Sequence, residues 1–270
     1  MLTLLPTPIG NIDDITIRTI KEIENSNLIL CEDTRVTKQL LNILKDRFNL
    51  KIPDANILSF HEHNGKARLN QIKDALKTKN VVYMSDAGMP VISDPGQLLV
   101  EYCQKENIPY NILPGASVAP LIYAASGFRS GKFFFYGFLP NRGKERLDEL
   151  KKVCSSGMDT IIYESPHRII KLLEQISQID NTREVFVAKE LTKKYQKFYK
   201  GSAIDILEKL NKDIIKGEWA LVIEGKTIQK ESLNLDEILS LEIPPKAKAK
   251  IVSKLTGKSI KECYNQLLNI

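Results

Sequence analysis

The sequence predicts an α/β fold, and three observations carry that reading. Short apolar runs alternate with amphipathic helical segments, each run exits into a loop of small or charged residues, and the alternation restarts near residue 130 before becoming purely helical. The expected organisation is an N-terminal α/β domain over 1–129, a second α/β domain over 130–227 and a small helical extension over 228–270.

The first expected strand, 2–5, runs into Pro6-Thr7-Pro8-Ile9-Gly10-Asn11, where prolines and a glycine force a turn and leave backbone groups free. Asp13 or Asp14 is expected to cap a helix carrying Ile15, Ile20 and Ile23. A second strand, 28–31, exits into Glu32-Asp33-Thr34-Arg35 and a helix over 36–48. The third, 57–60, exits into His61-Glu62-His63-Asn64-Gly65 and a helix over 66–79. The fourth, 81–84, leads into SDAGMPVISDPG at 85–96, around which the chain is organised, and then a helix over 98–104. Gly88, Pro90, Pro95 and Gly96 interrupt regular structure there, while Asp86, Ser93 and Asp94 are turn and cap residues. A fifth strand, 110–113, exits into Pro114-Gly115-Ala116-Ser117 and a small-residue helix over 118–126 ending at Gly127. Loops at the carboxyl ends of parallel strands are ligand positions.

The second half opens with a dense aromatic strand at 132–137. Helices are expected over 144–153, 166–176 and 203–210, and strands over 160–163, 184–188 and 219–223. From Ile228 onward the pattern is helical, with two or three short helices after Pro244-Pro245.

The 270 residues, 43% of them hydrophobic, suffice for a real core, and a net charge of +6 leans toward anionic partners, nucleic acid among them. Cys31, Cys103, Cys154 and Cys263 are scattered without metal-ligand spacing and read as reduced packing residues. Residues 1–10 are apolar but lack a basic leader and break at Pro6 and Pro8, so a cytoplasmic protein is expected.

No Walker pattern or G-x-G-x-x-G occurs, so the glycine-proline loops suggest a ligand held largely by backbone groups; ordinary turn chemistry is the plain alternative. His61 and His63 would share a face on a strand, but no third ligand has recognisable spacing and no metal is expected. Lys193-Lys194-Tyr195-Gln196-Lys197-Phe198-Tyr199-Lys200 interleaves cations with rings, which suits phosphates and unpaired bases or an alternating edge hairpin. Lys246, Lys248, Lys250, Lys254, Lys258 and Lys261 mark either a phosphate-facing or a solvated helical surface.

Six separated motifs occur in one order: Thr7-Pro8-Ile9-Gly10-Asn11, Glu32-Asp33-Thr34-Arg35, Ser59-Phe60-His61-Glu62-His63-Asn64, the 85–96 loop, Leu113-Pro114-Gly115-Ala116 and Tyr163-Glu164-Ser165-Pro166-His167-Arg168. Together they resemble the ribosomal RNA small subunit methyltransferase I branch of the tetrapyrrole methylases, over residues 2 to about 225. Met89 departs from the threonine common in that branch.

The resemblance implies a two-domain tetrapyrrole-methylase-like fold with S-adenosylmethionine bent into the interdomain cleft, a homodimer, and 2′-O-methylation of a cytidine ribose in the decoding region of 16S rRNA. By motif, Ile9, Asp86, Gly88, Val91, Ala116 and Ser117 would line the cofactor from the first domain, and Tyr163, Leu191, Trp219 and Ala220 from the second. The reaction is an in-line displacement that needs alignment and removal of a hydroxyl proton. Glu164, Glu32 and His61 are the candidates for the proton, with Glu164 preferred for its place after a strand. Arg35 and Arg168 have the fork for RNA phosphate, His167 could stack or hydrogen-bond, and Lys193 and Lys194 lie in the basic stretch. Rival readings are a tetrapyrrole or protein side-chain methyltransferase of the same fold, and a non-catalytic RNA-binding or ribosome-assembly protein.

Overall fold

The computed structural model describes residues 1–61, 63–92, 94, 96–211, 213–226 and 235–268. Glu62, Ser93 and Pro95 of the motifs, the expected boundary at 227/228 and Ile228, where the helical pattern begins, lie outside the described residues. The chain gathers into two compact units, Met1–Lys226 and Thr227–Ile270.

In the first unit, strands β1 (Leu2–Leu5), β2 (Leu28–Cys31), β3 (Asn56–Ser59), β4 (Val81–Met84) and β5 (Tyr110–Ile112) form a parallel sheet ordered β3-β2-β4-β1-β5. The connecting helices are α1 (Ile17–Glu24), α2 (Thr34–Phe48), α3 (Gly65–Thr78) and α4 (Gln97–Lys105). The central strands are buried throughout, and apolar but for Thr3, because both faces are covered. Leu2, Leu4, Leu30 and Tyr83 pack with Ile72 and Leu76 of α3 and Leu99 of α4, while Leu5, Ile29, Val82 and Met84 pack with Ile23 of α1 and Leu41 and Leu44 of α2. The helical run after β1 starts later than expected. Asp13 and Asp14 belong to a short 3₁₀ turn, and Thr16 caps α1 by accepting from the Thr19 N–H, which leaves Ile15 outside the helix.

After α5 (Val118–Ser126) comes a second sheet of β6 (Phe133–Phe138), β7 (Asp159–Glu164), β8 (Glu184–Lys189), β9 (Lys197–Ser202) and β10 (Trp219–Ile223), ordered β6-β7-β10-β8-β9. Helices α6 (Gly143–Ser155), α7 (Ile169–Ile179) and α8 (Ala203–Leu210) cover one face through Leu150, Leu172, Leu173, Ile176 and Ile206. Ala119 and Ile122 of α5 pack on the other face, against Ile161, Phe186, Ala220 and Val222, so α5 ties the two sheets into one unit. Only the β6–β7 pairing is parallel; β7–β10, β10–β8 and β8–β9 are antiparallel. The direction of β10 places its first residues beside the ends of β7 and β8, with Trp219 opposite both Glu164 and Lys189. The helix expected from Pro166 begins at Ile169 instead, because residues 165–168 first make a turn.

The second unit contains α9 (Leu235–Ser240), α10 (Pro245–Thr256) and α11 (Ile260–Leu268) around Ile238, Ala249, Val252 and Cys263. Gly257, at a φ of 73°, stops α10 in the left-handed conformation. No helix among the described residues is long and apolar enough to cross a membrane.

Candidate active site

Five parallel strands bring the loops at 6–11, 32–33, 60–64, 85–96 and 113–117 to one edge of the first sheet. Two of these loops are sewn together: the Thr7 N–H donates to the Gly88 carbonyl (3.0 Å) and the Gly88 N–H to the Thr7 carbonyl (3.1 Å). The Ser85 hydroxyl donates to the same Gly88 carbonyl at 2.7 Å. Gly88 has a φ of +85°, and a Cβ there would stand 3.0 Å from Ile9 Cγ2. Only glycine gives this crossing without strain.

Carboxylates collect on the same edge. Glu32 accepts from the Asp86 N–H (2.9 Å), and Asp86 accepts from the Asp33 N–H (3.1 Å). Burial raises the pKa of both Glu32 and Asp86, with neighbouring carboxylates adding to the rise. Asp94 receives the Tyr83 hydroxyl (2.9 Å) and the N–H groups of Val91 (2.7 Å) and Gly96 (2.8 Å). That grip holds Val91 at a φ of 74°, an uncommon conformation for a β-branched residue.

The second sheet supplies the facing wall. Tyr163 lies next to the end of β7, Ala188 near the end of β8, Trp219 and Ala220 begin β10, and Leu191 lies in the turn from β8 to β9. Two adjoining cavities result, of about 270 and 230 Å³, and both are lined by Ile9, Val118 and Tyr163. The larger is closed by Leu191, Trp219 and Ala220; the smaller carries Glu32, Asp86, Gly88, Asp94 and Ser117. The Trp219 indole Nε1 is buried with no hydrogen-bond partner among the described residues, and burial pushes the Tyr163 hydroxyl up to about 12, so it remains a donor. One end of the cleft is thus apolar and aromatic, the other acidic.

Of the residues expected to line a cofactor, Ile9, Asp86, Gly88, Ser117, Tyr163, Leu191, Trp219 and Ala220 border these cavities. Val91 packs on the first core instead, and Ala116 presents its carbonyl toward Gly88. Among the proton-acceptor candidates, Glu32 faces the smaller cavity, whereas His61 borders neither and sits 3.1 Å by Nε2 from the Asn64 amide. Glu164 borders the larger cavity, but both its oxygens are taken: Arg146 donates to Oε2 (2.5 Å), and Arg168 (2.7 Å) and the Ser165 N–H (2.8 Å) donate to Oε1.

The substrate candidates are spread out. Arg35 is exposed with its guanidinium closed on Asp33, whose carboxyl it holds at about 2. Arg168 is engaged by Glu164 and Asn141, His167 is exposed, Lys193 pairs with Glu190 and Glu218, and Lys194 lies over the Tyr195 ring. Val118, Phe138 and Gly217 line the larger cavity without having been singled out from the sequence. Phe138 carried a signal, since it directly follows the aromatic strand; Val118 reads as an ordinary helical residue.

The family model for Tetrapyrrole (Corrin/Porphyrin) Methylases matches residues 1–206. Ribosomal RNA small subunit methyltransferase I of Campylobacter fetus is 44% identical over 99% of this chain and 100% of its own length. The protein of the same name from Thermotoga maritima is 44% identical over 83% of this chain and 98% of its own. Among solved structures, a cobalt precorrin-4 methyltransferase aligns with a TM-score of 0.61 at 15% identity, over 83% of this chain and 94% of that one. Diphthine synthase aligns at 0.62 and 13%, over 83% and 89%. Those two likenesses concern the fold; the sequence relatives, with the two-sheet cleft, place the chain more narrowly. It belongs to the tetrapyrrole methylase family, in the branch of ribosomal RNA small subunit methyltransferase I.

Proposed function

We propose that this methyltransferase uses S-adenosylmethionine to methylate the ribose 2′-oxygen of a cytidine in the decoding region of 16S rRNA. The observation that carries the reading is the divided cleft. Its aromatic end suits an adenine, with the unpartnered Trp219 Nε1 offering a donor, and its acidic end suits a cationic amino-acid portion. The Thr7–Gly88 crossing spends the main-chain groups of both residues on each other and so fixes the wall that Gly88 gives the smaller cavity. The names of the sequence relatives support rRNA of the small subunit as substrate, and with it a cytoplasmic location.

When bound, S-adenosylmethionine supplies an electrophilic methyl group on a sulfonium. The chain's own residues have two tasks: to align a hydroxyl with that methyl and to take up its proton. Glu32 fits the second task better than Glu164. Its Oε1 holds the Asp86 N–H, its Oε2 has no hydrogen-bond partner among the described residues, and its raised pKa makes the carboxylate a stronger base. Glu164, with both oxygens committed to cations and an amide, acts as an anchor for the turn at 165–168.

The domain division at 129/130 and 227/228 and a homodimer belong to the same proposal. Tyr110 and Ile112 on edge strand β5, and Phe133 and Phe134 on edge strand β6, are exposed and support contact with a second copy. The deciding experiment maps 2′-O-methylation on small ribosomal subunits from a strain lacking this gene and adds back the purified protein with cofactor. A cytidine methylated only after add-back is expected; methylation at a base, or none, rejects the reading.

A further inference from the structure

A separate cavity of about 440 Å³ is lined in part by the loop before Trp219, and Gly217 lines both this cavity and the larger chamber of the cleft. Its walls come from the end of β8, the turn into β9 and the loop before β10. Lys189 and Lys197, the last pair of the β8–β9 ladder, stand directly opposite each other, a repulsive arrangement for like charges. Asp213 relieves it, accepting from Lys189 Nζ (3.2 Å), Lys197 Nζ (3.0 Å) and the Tyr199 hydroxyl. One carboxylate therefore serves two ammonium groups, and the Lys197 side chain remains 55% exposed.

The neighbouring charges leave that surplus standing. Lys193 is shared between Glu190 and Glu218, and Lys216 has no ion-pair partner among the described residues. Tyr195 stands at the mouth, 69% exposed, with no hydrogen-bond partner among the described residues for its hydroxyl. Ile214, 68% exposed, adds an apolar wall. The Tyr195 ring, with the Lys194 ammonium 5.6 Å from its centroid, an apolar wall and ammonium groups that share one carboxylate or have none are what a nucleotide unit needs: stacking for the base and cations for the phosphate.

Resting on the rRNA reading above, we propose that this cavity holds a nucleotide of the single-stranded RNA substrate close in the strand to the one being methylated, its base against Tyr195 and its phosphate between Lys197 and Lys216. Sharing Gly217 with the cleft makes the site part of the strand's path. The turn that carries Tyr195 is also docked on the first sheet's loops, where Thr192 Oγ1 accepts from the Asn11 N–H at 3.2 Å, so the strand would be held relative to the cleft.

The test measures anisotropy of a fluorescein-labelled single-stranded RNA dodecanucleotide of mixed sequence with wild type, Tyr195→Ala, Tyr195→Phe and Lys216→Ala. Tyr195→Ala is expected to weaken binding about tenfold, with Tyr195→Phe restoring it, because stacking needs the ring and not the hydroxyl. Lys216→Ala should lower the slope of log K against log salt by about 0.7, the value for one single-strand phosphate contact. S-adenosylmethionine titration and circular dichroism, both unchanged, confirm that the variants fold. Binding by Tyr195→Ala and Lys216→Ala within twofold of wild type overturns the site. Wild-type methyl transfer to small subunits is scored separately: its absence, with oligonucleotide binding still dependent on Tyr195 and Lys216, overturns the rRNA methylation reading and leaves the RNA site standing.

Discussion

Arg146 on α6 and Glu164 at the end of β7 form a buried ion pair, 2.5 Å apart, with side chains 2% and 1% exposed. Arg146 also donates to the Pro140 carbonyl (3.1 Å), and Glu164 also receives Arg168, so the pair fixes the loop after β6 against the turn after β7. Removing the carboxylate leaves a buried guanidinium without its counter-charge, which costs about 3 kcal/mol or more. Glu164→Gln is expected to lower the urea midpoint accordingly while single-turnover methyl transfer, measured on the folded fraction, falls less than about tenfold. A folded, equally stable Glu164→Gln protein slowed 100-fold would instead make Glu164 the base.

Glu32→Gln should show the opposite split. Cofactor affinity is expected to weaken, since Glu32 is one of the carboxylates of the acidic end, and transfer at saturating cofactor to drop by roughly 100-fold or more, the usual range for loss of a general base. Burial raises Glu32 above its ordinary 4.5, so the wild-type rate should climb with pH through a point above 4.5 and the variant should lose that limb. The stability sign runs the other way: a carboxyl that binds its proton more tightly when folded costs stability once pH exceeds its folded pKa, and the cost disappears on acidification below the unfolded value. Glu32→Gln should therefore flatten the stability profile over the same window. A pH–rate profile identical to wild type would remove Glu32 from the mechanism.

The split between Glu32 and Glu164 marks how far the sequence could be read. The first sheet was legible because its central strands are buried on both faces and stand out as four-residue, largely apolar runs that exit into loops of small or charged residues. Strand direction leaves no mark on periodicity, so the antiparallel entry of β10, which brings Trp219 beside Glu164, was not. Strand β9 was legible only as one of two readings, the edge hairpin beside the RNA-facing surface, because KFYKGS is an exposed edge in which two lysines flank two rings. Arg146 reads as a solvated cation of an amphipathic helix, and its burial follows from a carboxylate 18 residues away. Asp94 reads as a turn former, whereas its hydrogen bond from buried Tyr83 is a matter of tertiary packing.

Gly88→Val tests the crossing of the 6–11 and 85–96 loops. A branched side chain at a φ of +85° faces Ile9 Cγ2 at 3.0 Å, and the left-handed conformation alone costs an L residue about 1–2 kcal/mol. If the shape of the cleft wall at this crossing positions the ligand, S-adenosylmethionine affinity measured by isothermal titration should fall about tenfold or more, with a smaller loss of thermal stability. Unchanged affinity in a folded variant would mean the ligand does not approach Gly88.

The last prediction concerns the lysines of the second unit. Lys246, Lys250 and Lys254 recur every four residues on α10 and are exposed, as are Lys258 and Lys261, so three of them form one stripe. Lys248 is different, since its ammonium donates to the Leu239 carbonyl (2.6 Å) inside the unit. Exposed ammonium groups in a row meet phosphates at little desolvation cost, and each contact made adds about 0.7 to the salt slope for a single strand. Deleting residues 228–270 is expected to leave S-adenosylmethionine binding intact, because the cleft lies wholly within Met1–Lys226. Affinity for small-subunit RNA should fall, and the salt slope with it, by an amount that counts the lost contacts. Lys250→Ala with Lys254→Ala in the full chain should reproduce part of the slope change, and Lys248→Ala should chiefly lower the stability of the helical unit. Equal affinity and equal slope for the deletion and the full chain would show that the stripe is simply solvated.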